Sequence, residues 1–471
     1  MALPSTRGSG GFTVPNPIDI SNHRQLFVDN DLIDTLDNVC IHQHTPIPRE
    51  MCLSLNRPWE GETSWCPVVI KDGDKYRMWY RSQDVQQNAG GFNHTFTAYA
   101  ESEDGIHWTR PNLGLFEFNG SKENNICVDS LDTKNIAVFR DERPGVPDSE
   151  RYKAAGRWSG GKPARIYGLV SPDGIHWRNA TDGPLIVAPE EDPHFDSPVS
   201  AFWDAHQERY VLYARGWFPD DSEPRMRAIR MTTSEDFLHW KPWQYITING
   251  KTRYEHELYT NAVHPYERAP YYLAFPKRFV PTRTPLPDWG HEGLSDVLFL
   301  ASRDGLNFSQ PYTDAYLRPG LDPNNWHERS IFIGPRVVST ASGELSFYSV
   351  QNYRTPGVHI QRFTLREDGF VSVRADATTG TLTTNPFTFS GTQLEINYST
   401  SVAGSIRIAL LNESGTAIPG HTLDDCPEIF GDEISHTVRW NQINSVNVGT
   451  THPIRLQFEL KEADLYSFSF F

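Results

Sequence analysis

Ser102-Glu103-Asp104-Gly105-Ile106-His107-Trp108 closes an alternating apolar stretch, and the same kind of string returns four more times. Ser171-Pro172-Asp173-Gly174-Ile175-His176-Trp177 is nearly identical, and Ser234-Glu235-Asp236-Phe237-Leu238-His239-Trp240 and Ser302-Arg303-Asp304-Gly305-Leu306-Asn307-Phe308 follow. Arg366-Glu367-Asp368-Gly369-Phe370 is a degenerate fifth. The five aspartates stand 69, 63, 68 and 64 residues apart. A period of this kind marks a repeated supersecondary unit, and here the unit reads as a propeller blade. Asp in such a turn accepts backbone N–H bonds, Gly takes the positive φ, and Trp packs between units; this is a structural role, not a ligand role.

Working outward from the turns, each repeat reads as an inner strand, a polar turn, an aromatic-rich second strand, and a third strand leading into the Asp-Gly string. Trp65-Cys66-Pro67-Val68-Val69-Ile70 is a continuous apolar inner strand, Lys71-Asp72-Gly73-Asp74 a hairpin turn, and Tyr76-Arg77-Met78-Trp79-Tyr80 the second strand. Five copies predict an all-β, five-bladed β-propeller over residues 25–375. Residues 1–24 read as a loose Gly/Pro/Ser-rich arm. Residues 376–471 carry short alternating strands without a further Asp-Gly copy and read as a C-terminal β-sandwich.

A net charge of −16 argues against a nucleic-acid partner, because phosphate binding needs basic surface. No apolar run reaches the ~20 residues of a membrane span. The expected partners therefore include neither nucleic acid nor membrane, and the chain is expected to be a monomer or small homo-oligomer. The start shows no signal peptide, which reads as intracellular, or as secreted if the terminus is a processed one. Five cysteines without CxxC spacing read as free thiols. His42-x-His44 lacks further ligands, so no metal and no cofactor is expected. Gly-x-Ser-x-Gly, Walker and Rossmann signatures are absent from the sequence.

A propeller binds ligands at one mouth of its channel, where the inner strands begin. Acids near those starts are Glu60 and Glu62, Asp196, Glu257 and Glu328, with Asp141 the clearest acid of the second repeat. Converging carboxylates push each other's pKa apart, and such a pair is what glycosidic cleavage needs. The reading assigns Glu257 as general acid, Asp196 as stabiliser or pKa modulator, and Glu62 as base or nucleophile. Trp65 and Trp326 stand ready to stack on sugar, and Arg140, Asp141, Glu328 and Arg329 to bind it. The alternative for Glu60, Asp141 and Glu328 is a structural cap or ion pair.

With these residues the chain resembles the five-bladed β-propeller glycoside hydrolases. Family 32, the invertases and inulinases, joins the propeller to a β-sandwich; family 43, the arabinanases and xylosidases, shares the propeller. The resemblance implies three acids from different blades. Glu62–Pro67 stands nearest the family 32 nucleophile motif, with Cys66-Pro67 where Asp-Pro would fall; Arg140-Asp141 is nearest its Arg-Asp-Pro, and Glu257-Leu258 nearest its Glu-Cys. The resemblance and these acids together imply exo-acting glycoside hydrolysis, with a carbohydrate substrate as partner. Two other readings stay open: a polysaccharide lyase using His194, His256, Tyr259 and Arg329, and a non-catalytic sugar-binding propeller.

Overall fold

The repeats become antiparallel sheets in a computed structural model. It describes residues 17–471 except 84–94, 131–133, 159–161, 191, 193, 196–197, 219–224, 284–288, 311–313, 442, 444 and 447–451. The chain divides into two compact units, Ile41–Ser372 and Met1–Cys40 with Val373–Phe471.

In the first unit, numbered here in chain order, sheet one runs Trp65–Asp72, Lys75–Ser82, Phe96–Ser102 and Ile126–Asp129. Sheet two begins with Lys134–Arg140, Tyr152–Trp158 and Arg165–Ser171, and sheet three with Ser200–Asp204, Arg209–Trp217 and Arg227–Ser234. Sheet four is interrupted. Glu257–Leu258, Lys277–Val280 and Leu294–Val297 pair apart from Val263–Pro265, Tyr272–Ala274 and Leu300–Ser302. Pro276 has no N–H to give the ladder and Ala262 sits at φ 43, so the strands break at the same level.

Sheet five runs Phe332–Ile333, Glu344–Gln351 and His359–Arg366, and its outer strand is Ile47–Ser54 from the far end of the chain. That pairing satisfies an edge that would otherwise expose unpaired backbone. The inner strand of sheet one contacts that of sheet two, two contacts three, three contacts Val263–Pro265, and Phe332–Ile333 returns to Trp65–Asp72. Sheets radiating from neighbouring inner strands make a propeller-type fold.

The Asp-Gly strings are the latches between these sheets. In the first copy Asp104 Oδ1 accepts from the N–H of Ile106 and of His107, both at 2.8 Å, and Ser102 Oγ accepts from Gly105 N–H at 2.9 Å. The second, third and fourth copies repeat the pattern around Asp173, Asp236 and Asp304. An aromatic residue of the preceding sheet then reaches the turn. Trp79 Nε1 donates to Gly174 O at 2.7 Å, and Tyr213 Oη to Gly305 O at 2.6 Å. A Cβ on Gly174 or Gly305 would stand 2.7 or 2.6 Å from those side chains, so glycine is required for space as well as for its φ of 77 or 82.

Two turns depart from the pattern. The third carries Phe237 at φ 72 where the others have glycine. Its buried ring lies in one cluster with Ala155, which stands on its strand where Trp79 and Tyr213 stand on theirs, so the bulk has moved from strand to turn. In the fifth, the positive φ of 61 falls on Asp368, and its buried carboxylate accepts from Tyr266 Oη at 2.7 Å and Arg268 Nε at 3.0 Å. The degenerate copy is thus a different turn doing the same joining work.

The other unit is all β as well. Leu394–Asn412 and Ile454–Phe470 pair along their length, with a register shift between Thr400 and Ser405. Where the sequence suggests only short alternating strands over residues 376–471, the structure has these two long ones, of 19 and 17 residues. Ile454, Leu456, Phe458 and Leu460 alternate inward with period two, and Phe389 stacks on Phe470 at 3.7 Å. Ile18–Asp19, Gln25–Leu26 and Ile33–Asp37 pair into this sheet. Residues 17–40 therefore group with the C-terminal unit, where the sequence suggests an arm to 24 and a propeller start at 25. Those strands are two to five residues long, too short to carry a periodic signal.

Candidate functional site

Three consecutive second strands share one spacing: Tyr76 to Arg81, Tyr152 to Arg157, Tyr210 to Arg215. Tyr76 Oη donates to Ser339 O at 2.7 Å, while Tyr152, Tyr210 and Tyr272, the last in sheet four, each reach an aspartate. Tyr152 Oη donates to Asp72 and Tyr272 Oη to Asp204, and Tyr210 Oη donates to Asp141 Oδ2 at 2.6 Å. Each of these aspartates lies at or just past the end of the previous sheet's inner strand, so the Tyr–Asp pairs join the sheets at the end opposite the inner-strand starts. The arginines lie toward the other end, where the inner strands begin.

That end holds a cavity of about 330 Å³. Sheet one contributes Trp65, Arg81, Gln83 and Thr95; sheet two Lys134, Asn135 and Arg157; sheet four Tyr259; sheet five Arg329, Tyr353 and Arg354. His291 completes the described lining. Arg81 Nε donates to Thr63 O at 3.1 Å and its Nη2 to Tyr353 Oη at 2.9 Å, and its guanidinium lies 5.1 Å over the Trp65 ring. Burial, followed by repulsion from Arg157 and Arg81, lowers Lys134 from 10.5 to about 8.

Beneath the cavity Lys277 is fully enclosed. Its Nζ donates to Arg329 O at 2.8 Å and faces the Trp65 ring at 5.5 Å. Burial lowers it from 10.5 to about 7; the nearby Cys66 opposes that shift and Arg329 adds to it.

The sequence-derived residues fall into three groups. Trp65 and Arg329 line the cavity. Glu328 stands behind it: Oε1 lies 2.7 Å from Arg354 Nη1, and Oε2 accepts from Trp289 Nε1 at 2.8 Å and faces His327 Nδ1 at 3.3 Å. Burial alone would raise Glu328, but these bonds and the Arg354 charge hold it down at about 2, so the carboxylate is ionised. Glu257 is buried and paired with Arg227, whose guanidinium also lies 5.0 Å over Tyr259. Glu257 is thus adjacent to the cavity through Arg227 and does not line it. Glu62 is exposed, and its carbonyl accepts from Arg354 N–H at 2.7 Å. Asp196 lies outside the described residues.

Arg140 and Asp141, expected to bind substrate, stand at the opposite end of the inner strand and are not in the described lining. Asp141 is buried between Tyr210 and Lys153, 2.7 Å from Lys153 Nζ, while Arg140 pairs with Asp72 at 3.2 Å. The strand runs from Lys134 at the mouth to Arg140, so an acid after its last residue faces away from the mouth. Trp326 is exposed, donates to Gly320 O at 2.9 Å, and is not in the lining. Glu60 is structural, accepting from Tyr80 Oη at 2.5 Å and Arg110 Nε at 2.9 Å. Of the lyase residues, Tyr259 and Arg329 line the cavity; His194 and His256 do not.

Sequence reading missed Arg81, Gln83, Lys134, Arg157 and Arg354. The repeated Tyr-to-Arg spacing was the available signal for two of them. Among the described residues, no group of three His, Cys, Asp or Glu is placed to hold a metal ion. All five cysteines are free; Cys66, Cys127 and Cys426 are buried and Cys40 is exposed. Among the described residues no helix is long and apolar enough to cross a membrane.

No family model matches the chain. It is similar to the uncharacterized protein Rv1502 of Mycobacterium tuberculosis, strain ATCC 25618 / H37Rv, at 29% identity over 168 residues, covering 34% of this chain and 46% of that protein. The chain thus spans less than half the length of the curated relatives it matches. Among solved structures it is similar to a BT0996–RGII complex, at TM-score 0.48 and 14% identity, covering 70% of this chain and 95% of that protein. A family 43 arabinoxylan arabinofuranohydrolase from Bacillus subtilis has TM-score 0.42, 14% identity and coverage of 90% and 99%. The Bombyx mori family 32 beta-fructofuranosidase BmSUC1 has TM-score 0.44, 9% identity and coverage of 89% and 93%.

Proposed function

We propose that the chain is a glycan-processing enzyme, a five-bladed β-propeller with a C-terminal β-sandwich, whose substrate enters the mouth between sheets one, two, four and five. The reading is exo-acting glycoside hydrolysis. The observation that carries it is the convergence of aromatic rings and cations from four sheets on one cavity, with two carboxylates close behind the lining, Glu257 paired with Arg227 and Glu328 with Arg354. Sugar recognition uses such rings for the apolar faces and charged side chains for the hydroxyls.

Hydrolysis needs a proton donor and an ionised carboxylate. Glu257 stands in an ion pair with Arg227, so we give it the base or nucleophile part in place of the acid part expected from sequence. The donor part then passes to Glu62 or Asp196. A second reading, β-elimination from a uronate, is favoured by one observation. Tyr259 lines the cavity with the guanidinium groups of Arg215, Arg227 and Arg329 at 5.1, 5.0 and 5.9 Å from its ring. The test is a panel of furanosides, pyranosides and uronate-capped oligosaccharides. New reducing ends without ultraviolet absorbance support hydrolysis, an unsaturated ultraviolet-absorbing product supports elimination, and binding without turnover overturns both.

A further inference from the structure

The chain carries a net charge of −16, yet the described lining of its mouth holds Arg81, Lys134, Arg157, Arg329 and Arg354 and no Asp or Glu. On the sheet-five wall, Glu328 sits behind Arg354 and 3.9 Å from Arg329, so that wall brings its own counter-charge. On the wall of sheets one and two, the Arg81 guanidinium meets only neutral oxygens among the described residues: Thr63 O, Tyr353 Oη and, at 3.5 Å, Asn135 Oδ1. Lys134 is buried beside Arg81 and Arg157; burial first, and then the Arg157 and Arg81 charges, lower its proton affinity.

Gln83 supplies an independent sign. It is 1% exposed and lines the cavity; its Oε1 accepts from Thr63 Oγ1 at 3.1 Å, while its buried Nε2 has no acceptor among the described residues. Buried donors without an acceptor are uncommon in folded proteins. Cations and a spare N–H donor on one wall are the complement of an oxyanion.

We propose that this wall is an oxyanion subsite, and that the glycan entering the mouth carries a carboxylate or sulfate group that docks on Arg81, Gln83, Lys134 and Arg157. The inference rests on the reading of the mouth as a glycan site. A sugar-borne anion is favoured over a free one because Trp65, Tyr259 and Tyr353 line the same cavity and give a sugar ring apolar surface to cover.

Calorimetric titration of the full chain tests this without requiring turnover. The probes are a uronate-terminated oligosaccharide, a sulfated one, their neutral counterpart of the same linkage, and inorganic phosphate. Each is run at low and high salt, on the native chain and on Lys134→Gln and Arg157→Gln, with thermal melting as the check on folding. One or both anionic sugars should bind at least tenfold tighter than the neutral one, and salt and either folded variant should erase the difference. Equal binding of the neutral sugar, unchanged in the variants, overturns the subsite and leaves the glycan reading standing. Phosphate binding that the variants abolish, with no oligosaccharide bound, overturns both the sugar-borne anion and the glycan reading. Should one variant fail to fold, the other and the salt dependence still decide.

Discussion

Tyr348, in the second strand of the last sheet, donates its hydroxyl hydrogen to the carbonyl oxygen of Gly105 in the first sheet's turn, at 2.6 Å. This is the same latch that Trp79 makes to Gly174 and Tyr213 to Gly305, now made from the end of the repeat array back to its beginning. With Ile47–Ser54 as the outer strand of sheet five, the array is joined to itself twice. A cavity built from sheets one, two, four and five keeps its shape only while that joint holds.

Gly105→Ala should therefore be more damaging than an ordinary surface glycine change. A Cβ there would stand 2.7 Å from Thr340 Cγ2 and 2.9 Å from Tyr348 Oη, at a φ of 73. Tyr348→Phe removes only this bond, Gly105 O keeping Trp108 Nε1 as a donor at 3.2 Å, and should cost about 0.5–1.5 kcal/mol, the net worth of one hydrogen bond. Gly105→Ala should cost at least as much, because strain is added. Denaturant midpoints check the order; a neutral Gly105→Ala contradicts the latch.

The junction between sheets two and three carries its bulk on the turn. Phe237→Gly should empty the space beside Ala155 and cost about 3–5 kcal/mol, as large-to-small core changes do. Adding Ala155→Tyr rebuilds the arrangement of the other junctions and should recover part of the loss. A double-mutant cycle reads the coupling, and strict additivity would show that the two positions do not share one space.

Lys277 makes stability depend on pH. Its folded value, about 7, lies below its ordinary 10.5. Between those values the unfolded chain holds a proton that the folded chain does not, so stability rises with pH through this window. The limit is about 1.4 kcal/mol per pH unit. Lys277→Met loses the bond to Arg329 O at every pH, but its stability relative to the native chain should be best near pH 6 and fall toward pH 9. Unfolding curves across that range measure the difference, and a pH-independent difference rules out a neutralised lysine.

Asp141→Asn separates the two ends of the inner strands. The change weakens a buried contact to Lys153 and Tyr210 and should lower stability by about 3–5 kcal/mol, the cost of breaking a buried pair. Glycan binding by the protein that remains folded should be unchanged. Loss of binding in a folded Asp141→Asn chain would return that residue to the site.

The parts of the fold legible in sequence are those made by local chemistry. The first four Asp-Gly strings satisfy their own backbone within three residues, so the blade register could be read off directly. Trp65, Arg329 and Tyr259 were found because they lie at or beside inner-strand starts. The rest depends on partners distant in sequence. Asp141 resembles a mouth acid until Tyr210 is seen above it, 69 residues on, and Glu257 resembles a free acid until Arg227 is placed beside it. Ile47–Ser54 pairs across more than three hundred residues, and nothing in its own pattern names that partner.

The most direct measurement of the central claim is sugar release from the glycan panel by the native chain and by Glu257→Gln, with circular dichroism confirming that the variant is folded. The account predicts turnover of at least one panel member by the native chain and a loss of a hundredfold or more in the variant. That range fits removal of a base or nucleophile. A folded Glu257→Gln chain with native activity would contradict it.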